Sequence, residues 1–295
     1  MTQPRRIGFI GLGMMGAPMV QCLVNAGFDL FIDDADAARA DALAAQTGAQ
    51  RLSEDNAASL DALITMLPNS AIVESVLLGG GAHGWASRLA KGAAVIDMSS
   101  SEPERSRKLG AVLEERGLAY LDAPVSGGVK KAKEGTLAIL VGGSADELAR
   151  CKPVLEAMGK SILHIGGAGA GHAAKALNNY VSAAGLAATV EALHVAQRFG
   201  IEPEVMTDVL NASSGRSNTS ENKVKQFMLS GTFASGFALQ LMNKDLKIAR
   251  ALAQSVGYPM TLGMTCTAMW DEAAQRSTPA TDHTEMYRLL DGDAS

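Results

Sequence analysis

A chain of 295 residues, 47% hydrophobic and 19% charged, has the makeup of a soluble globular protein with room for two separate cores. Its net charge of −5, with no basic tract, points away from a nucleic-acid surface and leaves small anionic ligands to be caught by local groups. Three cysteines and five histidines at no metal or redox spacing suggest buried thiols in a cytoplasmic protein without a metal. The opening "MTQPRR" runs straight into an apolar strand and carries no pattern of a signal peptide. In chain order, "RIGFIG", "DLFID", "ALITML", "AAVIDM", "LAYLDA", "LAILVGG" and "ILHIG" read as strands, with helical patterns such as 36–46, 104–115 and 145–158 between them. Such alternation predicts βαβ units and a mostly parallel sheet. From Gly171 onward only helical periods remain: a long helix over about 172–199 stopped by Gly200, then 203–212, 220–229, 238–256, 260–276 and 282–290. The chain therefore reads as an α/β half, 1–165, and an all-helical half, 166–295, joined at "HIGGAGAG". The long helix carries Lys175, Asn178, Asn179, Glu191 and His194, too many polar groups for a free membrane span.

The first βαβ unit contains the loop "GLGMMG". A strand over 7–10 enters it, a helix over about 14–26 leaves it, and a second strand ends at Asp33 and Asp34. In such a Rossmann-type unit Gly11 makes the tight turn, Gly13 lets a pyrophosphate approach, and Gly16 lets the helix pack on the sheet. Free N–H groups at the helix start favour the anion, so Gly11, Leu12, Gly13, Met14, Met15 and Gly16 are the expected dinucleotide cradle. Asp33 or Asp34 would hold the adenosine ribose. A carboxylate there repels the 2′-phosphate of NADP, and Ala35 stands where an arginine would welcome it, so NAD is the expected cofactor. Arg39, one helical turn on, keeps NADP possible.

Two further clusters carry chemistry. In "DAPVSGG", Asp122 ends a strand and Pro124 stiffens the turn after it; Ser126, Gly127 and Gly128 then offer a hydroxyl and open backbone N–H groups, a nest for a carboxylate. An ordinary strand-to-helix turn is the alternative. In "GAGAGHAAKALNN", Lys175 and Asn179 share one helix face, just past glycines that read as flexible and where two domains meet. Most lysines are simply solvated. The apolar flanks Ala173, Ala174, Ala176 and Leu177 would desolvate this one and suit it to proton transfer near neutral pH.

With these motifs the chain resembles the β-hydroxyacid dehydrogenase family, the group of 3-hydroxyisobutyrate and tartronate semialdehyde dehydrogenases, over nearly its whole length. "GLGMMGAPM" looks like the cofactor fingerprint. "MLPNSAIVESVL" is similar to the loop along the cofactor, which implies roles there for Met66, Leu67 and Pro68. "DMSSS" puts Ser100 where the family has a threonine beside the nicotinamide. "DAPVSGG" matches the substrate signature, and "GAGHAAKALNN" matches the catalytic motif, with Lys175 and Asn179 in its two places. "FALQLMNKDL" resembles the helix closing over the site, which implies a substrate contact for Phe237 and cofactor-side roles for Lys244 and Asp245. The resemblance implies hydride transfer between NAD and a short 3-hydroxy acid in a homodimer or homotetramer. Lys175 would exchange the proton, Ser126, Gly127 and Gly128 would hold the carboxylate, and Asn179 and Ser100 would orient the substrate. "SSGRSNTSENK" lacks the expected aromatic residue and "ATDHTEMYRLL" differs from the usual tail, which leaves the acid itself open. An NADPH-linked semialdehyde or glyoxylate reductase is the near alternative. An imine reductase typically lacks the lysine, and a non-catalytic cofactor-binding module should lose it.

Overall fold

Strand β1 (Arg6–Ile10) is buried along all but its first residue, as a parallel strand covered on both faces must be. The computed structural model describes residues 3–79 and 84–291; the first two residues of "MTQPRR" lie outside them. After β1 come α1 (Gly16–Asn25), β2 (Asp29–Asp33), α2 (Ala37–Thr47), β3 (Gln50–Arg51), α3 (Glu54–Ala57), β4 (Ala62–Thr65), α4 (Ser70–Leu78) and β5 (Ala94–Asp97). They are followed by α5 (Pro103–Glu115), β6 (Ala119–Asp122), β7 (Val125–Ser126), α6 (Gly128–Lys133), β8 (Leu137–Gly142), α7 (Ala145–Glu156) and β9 (Gly159–Gly166). Among the described residues the strands form one sheet, ordered β3-β2-β1-β4-β5-β6-β8-β7 with β9 beside β8. The pairs from β3 to β6 are parallel, while β8 runs antiparallel to β6 and β7. The α/β class is as the alternation implied. The two-residue strands β3 and β7 were not expected, because so short a run has no period to read.

Successive side chains enter opposite cores. Phe9, Ile32, Ile64 and Ile96 pack on one face, and Ile10, Phe31, Leu63 and Val95 on the other. The register fixes where the strands stop. Ile10 pairs with Asp33 and Thr65, Thr65 with Asp97, Asp97 with Asp122, Asp122 with Gly142 and Gly142 with Gly166. One row therefore crosses the sheet, and the loops after β1, β2, β4, β5, β6 and β9 all leave from it.

The chain divides into two compact units, Met1–Lys175 and Ala176–Ser295. Helix α8 (Ala170–Phe199) supplies the end of the first and the start of the second. The second unit continues with α9 (Pro203–Ala212), α10 (Asn218–Asn222), α11 (Leu239–Ser255), α12 (Thr261–Gln275) and α13 (Met286–Leu289) around Leu186, Val190, Leu246, Trp270 and Met286. The helix expected over 220–229 is two pieces. A box of Ser217 and Ser220 starts α10 early, Lys223 leaves helical geometry, and Val224–Leu229 continues as wider π turns. Among the described residues no helix is long and apolar enough to cross a membrane.

The unusual tail has a clear physical task. Buried Asp282 accepts hydrogen bonds from Ser235 Oγ at 2.8 Å, Gly236 N–H at 2.9 Å and Thr284 Oγ1 at 2.6 Å, and so pins the loop before α11. Burial alone would raise its pKa; the hydrogen bonds from His283, Thr284 and Ser235 outweigh that and hold it well below the ordinary carboxylate range. A depressed carboxylate contributes stability above its unfolded pKa, about 4, and loses it as pH falls toward the folded value. Thermal midpoints measured downward from pH 5 should therefore fall less steeply in Asp282→Asn than in wild type. Equal slopes would show that Asp282 does not set acid stability.

Candidate active site

The glycine loop is built by close approaches. Gly11 sits at φ +100°, and its N–H donates to Asp33 O at 3.0 Å. A side chain on Gly11 would strike the Met66 carbonyl, and one on Gly16 would strike the Gly11 carbonyl. A side chain on Gly13 would meet nothing within 4 Å, so this side of the loop is open to a ligand. No side chain caps α1; Ala17 N–H donates to Gly13 O at 3.1 Å, so it is the loop before the helix that faces an anion at this helix start. The strand order turns around between β1 and β4, where dinucleotides bind in such sheets. These features fit a dinucleotide's pyrophosphate. Leu12 can offer no side chain, being buried, and its N–H donates to Asp34 Oδ2 at 2.7 Å; Met14 is 76% exposed and Met15 packs on the core.

The two candidate ribose acids part company. Asp33 Oδ1 faces Arg51 Nη2 at 2.9 Å. Asp34 turns to the glycine loop, taking N–H groups of Leu12 and, at 2.9 Å, of Asp36, with Arg39 Nη1 at 3.1 Å. Desolvation raises the Asp34 pKa, but those donors overcome it and the net shift is downward, so the group is ionised at neutral pH. Asp34→Ala should weaken NAD more than NADP, because it removes a carboxylate and releases Arg39 toward a 2′-phosphate. Titration with both cofactors tests this; unchanged affinities would leave Asp33 or neither residue at the ribose.

Further along the row, Met66 packs beneath the loop, Leu67 N–H donates to Ser99 Oγ at 2.9 Å, Pro68 is exposed, and Ser100 is half-buried after β5. After β6, Ser126 pairs with Ala138, and Gly127 and Gly128 take φ +136° and +67°. Successive positive angles of this kind are open to glycine. Asp122, just before, is fully buried and accepts from Gly169 N–H at 2.7 Å and His172 N–H at 2.8 Å. It thus holds the start of α8, with Lys175 half-buried one turn later. A side chain on Gly167 would meet nothing within 4 Å, but two junction glycines are not the flexible spacers their composition suggested: one on Gly169 would strike the Pro103 carbonyl, and one on Gly171 the Leu140 carbonyl. They are small because the helix start lies tight against α5 and the sheet.

In the helical unit, Asn179 is 6% exposed and its Nδ2 donates to Asp245 Oδ2 at 2.6 Å, while Lys244 Nζ stands 3.9 Å from Asp245 Oδ1. The structure thus joins Asn179, Lys244 and Asp245. Phe237 is half-buried and meets the His283 ring edge-on at 5.7 Å. Motif reading passed over Ser99, His172 and Asp97, which form a buried polar network among these segments. The one available signal was a histidine inside a run of alanines and glycines. Among the described residues no group of three His, Cys, Asp or Glu side chains is placed to hold a metal.

Comparison with known proteins agrees with this geometry. Residues 6–166 match a family model described as the NAD binding domain of 6-phosphogluconate dehydrogenase. Residues 169–290 match one described as "NAD-binding of NADP-dependent 3-hydroxyisobutyrate dehydrogenase". A 2-(hydroxymethyl)glutarate dehydrogenase of Eubacterium barkeri is 40% identical, over 92% of this chain and 90% of that protein. An NAD-dependent L-serine dehydrogenase of Pseudomonas aeruginosa is 36% identical, over 97% and 98%. The solved structure of a Mycobacterium tuberculosis 3-hydroxyisobutyrate dehydrogenase with L-serine is 33% identical, covers 98% of this chain and 99% of that one, and superposes with a TM-score of 0.89.

Proposed function

Because the chain belongs to the β-hydroxyacid dehydrogenase family that includes the 3-hydroxyisobutyrate dehydrogenases, we propose that it oxidises a short 2-substituted 3-hydroxypropanoate with NAD, Lys175 exchanging the proton. It is an NAD(P)-dependent oxidoreductase of the 3-hydroxyacid dehydrogenase type. The substrate class follows from the relatives' names. 2-(Hydroxymethyl)glutarate, L-serine and 3-hydroxyisobutyrate share one frame, a hydroxymethyl group on the carbon that bears the carboxylate, and differ in the third substituent.

The observation that carries the reading is the register row. The glycine loop leaves the end of β1 at that row, the Ser100 turn the end of β5 and the segment leading to Ser126 the end of β6, while β9 ends there at Gly166 and leads into α8. NAD, when bound, supplies the hydride acceptor. Ser126 Oγ and the N–H groups of Gly127 and Gly128 hold the carboxylate. Neutral Lys175 takes the hydroxyl proton in oxidation, and charged Lys175 returns it to the carbonyl oxygen in reduction. Ser100 orients the substrate, and within the helical unit Asp245 steadies the Asn179 amide. Initial rates with the three named acids, each with NAD and NADP, test the proposal. At least one acid should turn over, with NAD preferred; Arg39 beside Asp34 is what favours an NADP-linked reductase as second reading, and a clear NADP preference would select it.

We also infer a homodimer or homotetramer. Leu177, Val181, Val195 and Phe199 stand exposed at helical spacing along α8, the last at 84%. Light scattering at micromolar concentration should show more than a monomer, and a monomer alone would contradict the inference.

A further inference from the structure

We propose that His172 is a positioning residue for the proton-transfer lysine, fastening the first turn of α8 to the turn that carries Ser100; the proposal rests on the reading of Lys175 above. His172 is 1% exposed and lies three residues before Lys175. Its Nε2 is 3.0 Å from Ser99 O. A carbonyl only accepts, so Nε2 carries the hydrogen and donates. On the ring's other side Nδ1 lies 2.8 Å from Ser106 Oγ on α5. The same residue's backbone N–H donates to Asp122, and Ser99 Oγ takes the Leu67 N–H. One rigid ring thus ties the turn after β5 and helix α5 to the start of α8, and Ser99 extends that tie to the loop after β4.

The ring is held in place from all sides. Asp97 Oδ2 is 3.9 Å from Nε2 and Asp122 Oδ2 is 3.6 Å from Nδ1. Asp97 in turn binds the neighbouring turn, accepting from Ser99 N–H at 3.1 Å, Ser101 Oγ at 3.0 Å and Thr65 Oγ1 at 2.9 Å. The helix start has its own anchor, because Gly169 and His172 reach Asp122 through backbone N–H groups. Removing the imidazole therefore leaves α8 attached to the sheet through Asp122 and cuts the side-chain ties to Ser99 and Ser106. What changes is the distance between the turn bearing Ser100 and the turn bearing Lys175. Reaction rates respond to such sub-ångström placement more than binding does.

The test uses the full chain with NAD and 3-hydroxyisobutyrate, unlabelled or deuterated at the hydroxyl-bearing carbon. His172→Leu removes the tie. His172→Asn reaches Ser106 but falls short of Ser99, and His172→Gln places an amide donor where Nε2 was. The leucine and asparagine variants should lose on the order of 10- to 100-fold in kcat, with KM for NAD within about twofold and a larger deuterium isotope effect. The glutamine variant should return to within about threefold of wild type. Wild-type kcat in the folded leucine or asparagine variant, or a glutamine variant as slow as leucine, would overturn the proposal. Lys175→Ala measured alongside separates the two ideas: if it keeps full turnover, the role of the lysine fails whatever the His172 variants do.

Discussion

Lys175→Ala is expected to lower turnover at least ~100-fold while NAD affinity stays near the wild-type value. On the proposed reading the dinucleotide is held by the glycine loop after β1 and the acid after β2, whereas Lys175 is a side chain on the first turns of α8, whose start is held by backbone bonds to Asp122. Deleting the amine therefore leaves the cofactor cradle intact. Lys175→Arg should not restore the rate, since a guanidinium stays protonated at any working pH and cannot accept the hydroxyl proton. Stopped-flow and steady-state rates on both variants, with NAD binding followed by fluorescence, provide the measurement. Unchanged turnover in a folded alanine variant would remove the mechanism.

The second large effect concerns the carboxylate. A charged hydrogen bond to it should contribute about 1.5–3 kcal/mol, so the methyl ester or amide of a good substrate should lose roughly 10- to 150-fold in kcat/KM. Ser126→Ala should narrow the gap between acid and ester, because one of the groups that tells them apart is gone. The nest would remain in part, as the glycine N–H groups are backbone and Gly127 and Gly128 keep their positive φ angles. If wild type uses the ester as well as the acid, the turn at 126–128 is structural only.

Much of this was legible in the sequence where a residue's own chemistry forces its place. Gly11 and Gly16 had to be glycine, and the structure shows the carbonyls that a side chain would strike. Asp34 was legible as an acid at a strand end but not as a group turned inward to Leu12 N–H, since that depends on the register of β2 against β1. The junction glycines misled: composition suggests flexibility, and only the packing against Pro103 and Leu140 shows that Gly169 and Gly171 are steric necessities. The tail "ATDHTEMYRLL" looked merely divergent because Asp282 meets Ser235 and Gly236 from 47 and 46 residues away. His172 was hidden for the same reason, its partners Ser99 and Ser106 being 73 and 66 residues distant. Local pattern reports helices, strands and turns well; a buried polar side chain reports only that partners exist, and the fold decides which.

Hydride transfer itself can be followed with a label. Whichever of 2-(hydroxymethyl)glutarate, L-serine and 3-hydroxyisobutyrate turns over fastest is deuterated at its hydroxyl-bearing carbon and incubated with NAD, and the reduced cofactor is examined by mass spectrometry and proton NMR. One deuterium per turnover should appear on the nicotinamide ring in wild type, and at least ~100-fold less label within the same time in Lys175→Ala. Unlabelled reduced cofactor with the deuterium lost to solvent, or no reduced cofactor with any of the three acids, would contradict the assignment of this chain as an NAD-linked dehydrogenase of 3-hydroxy acids.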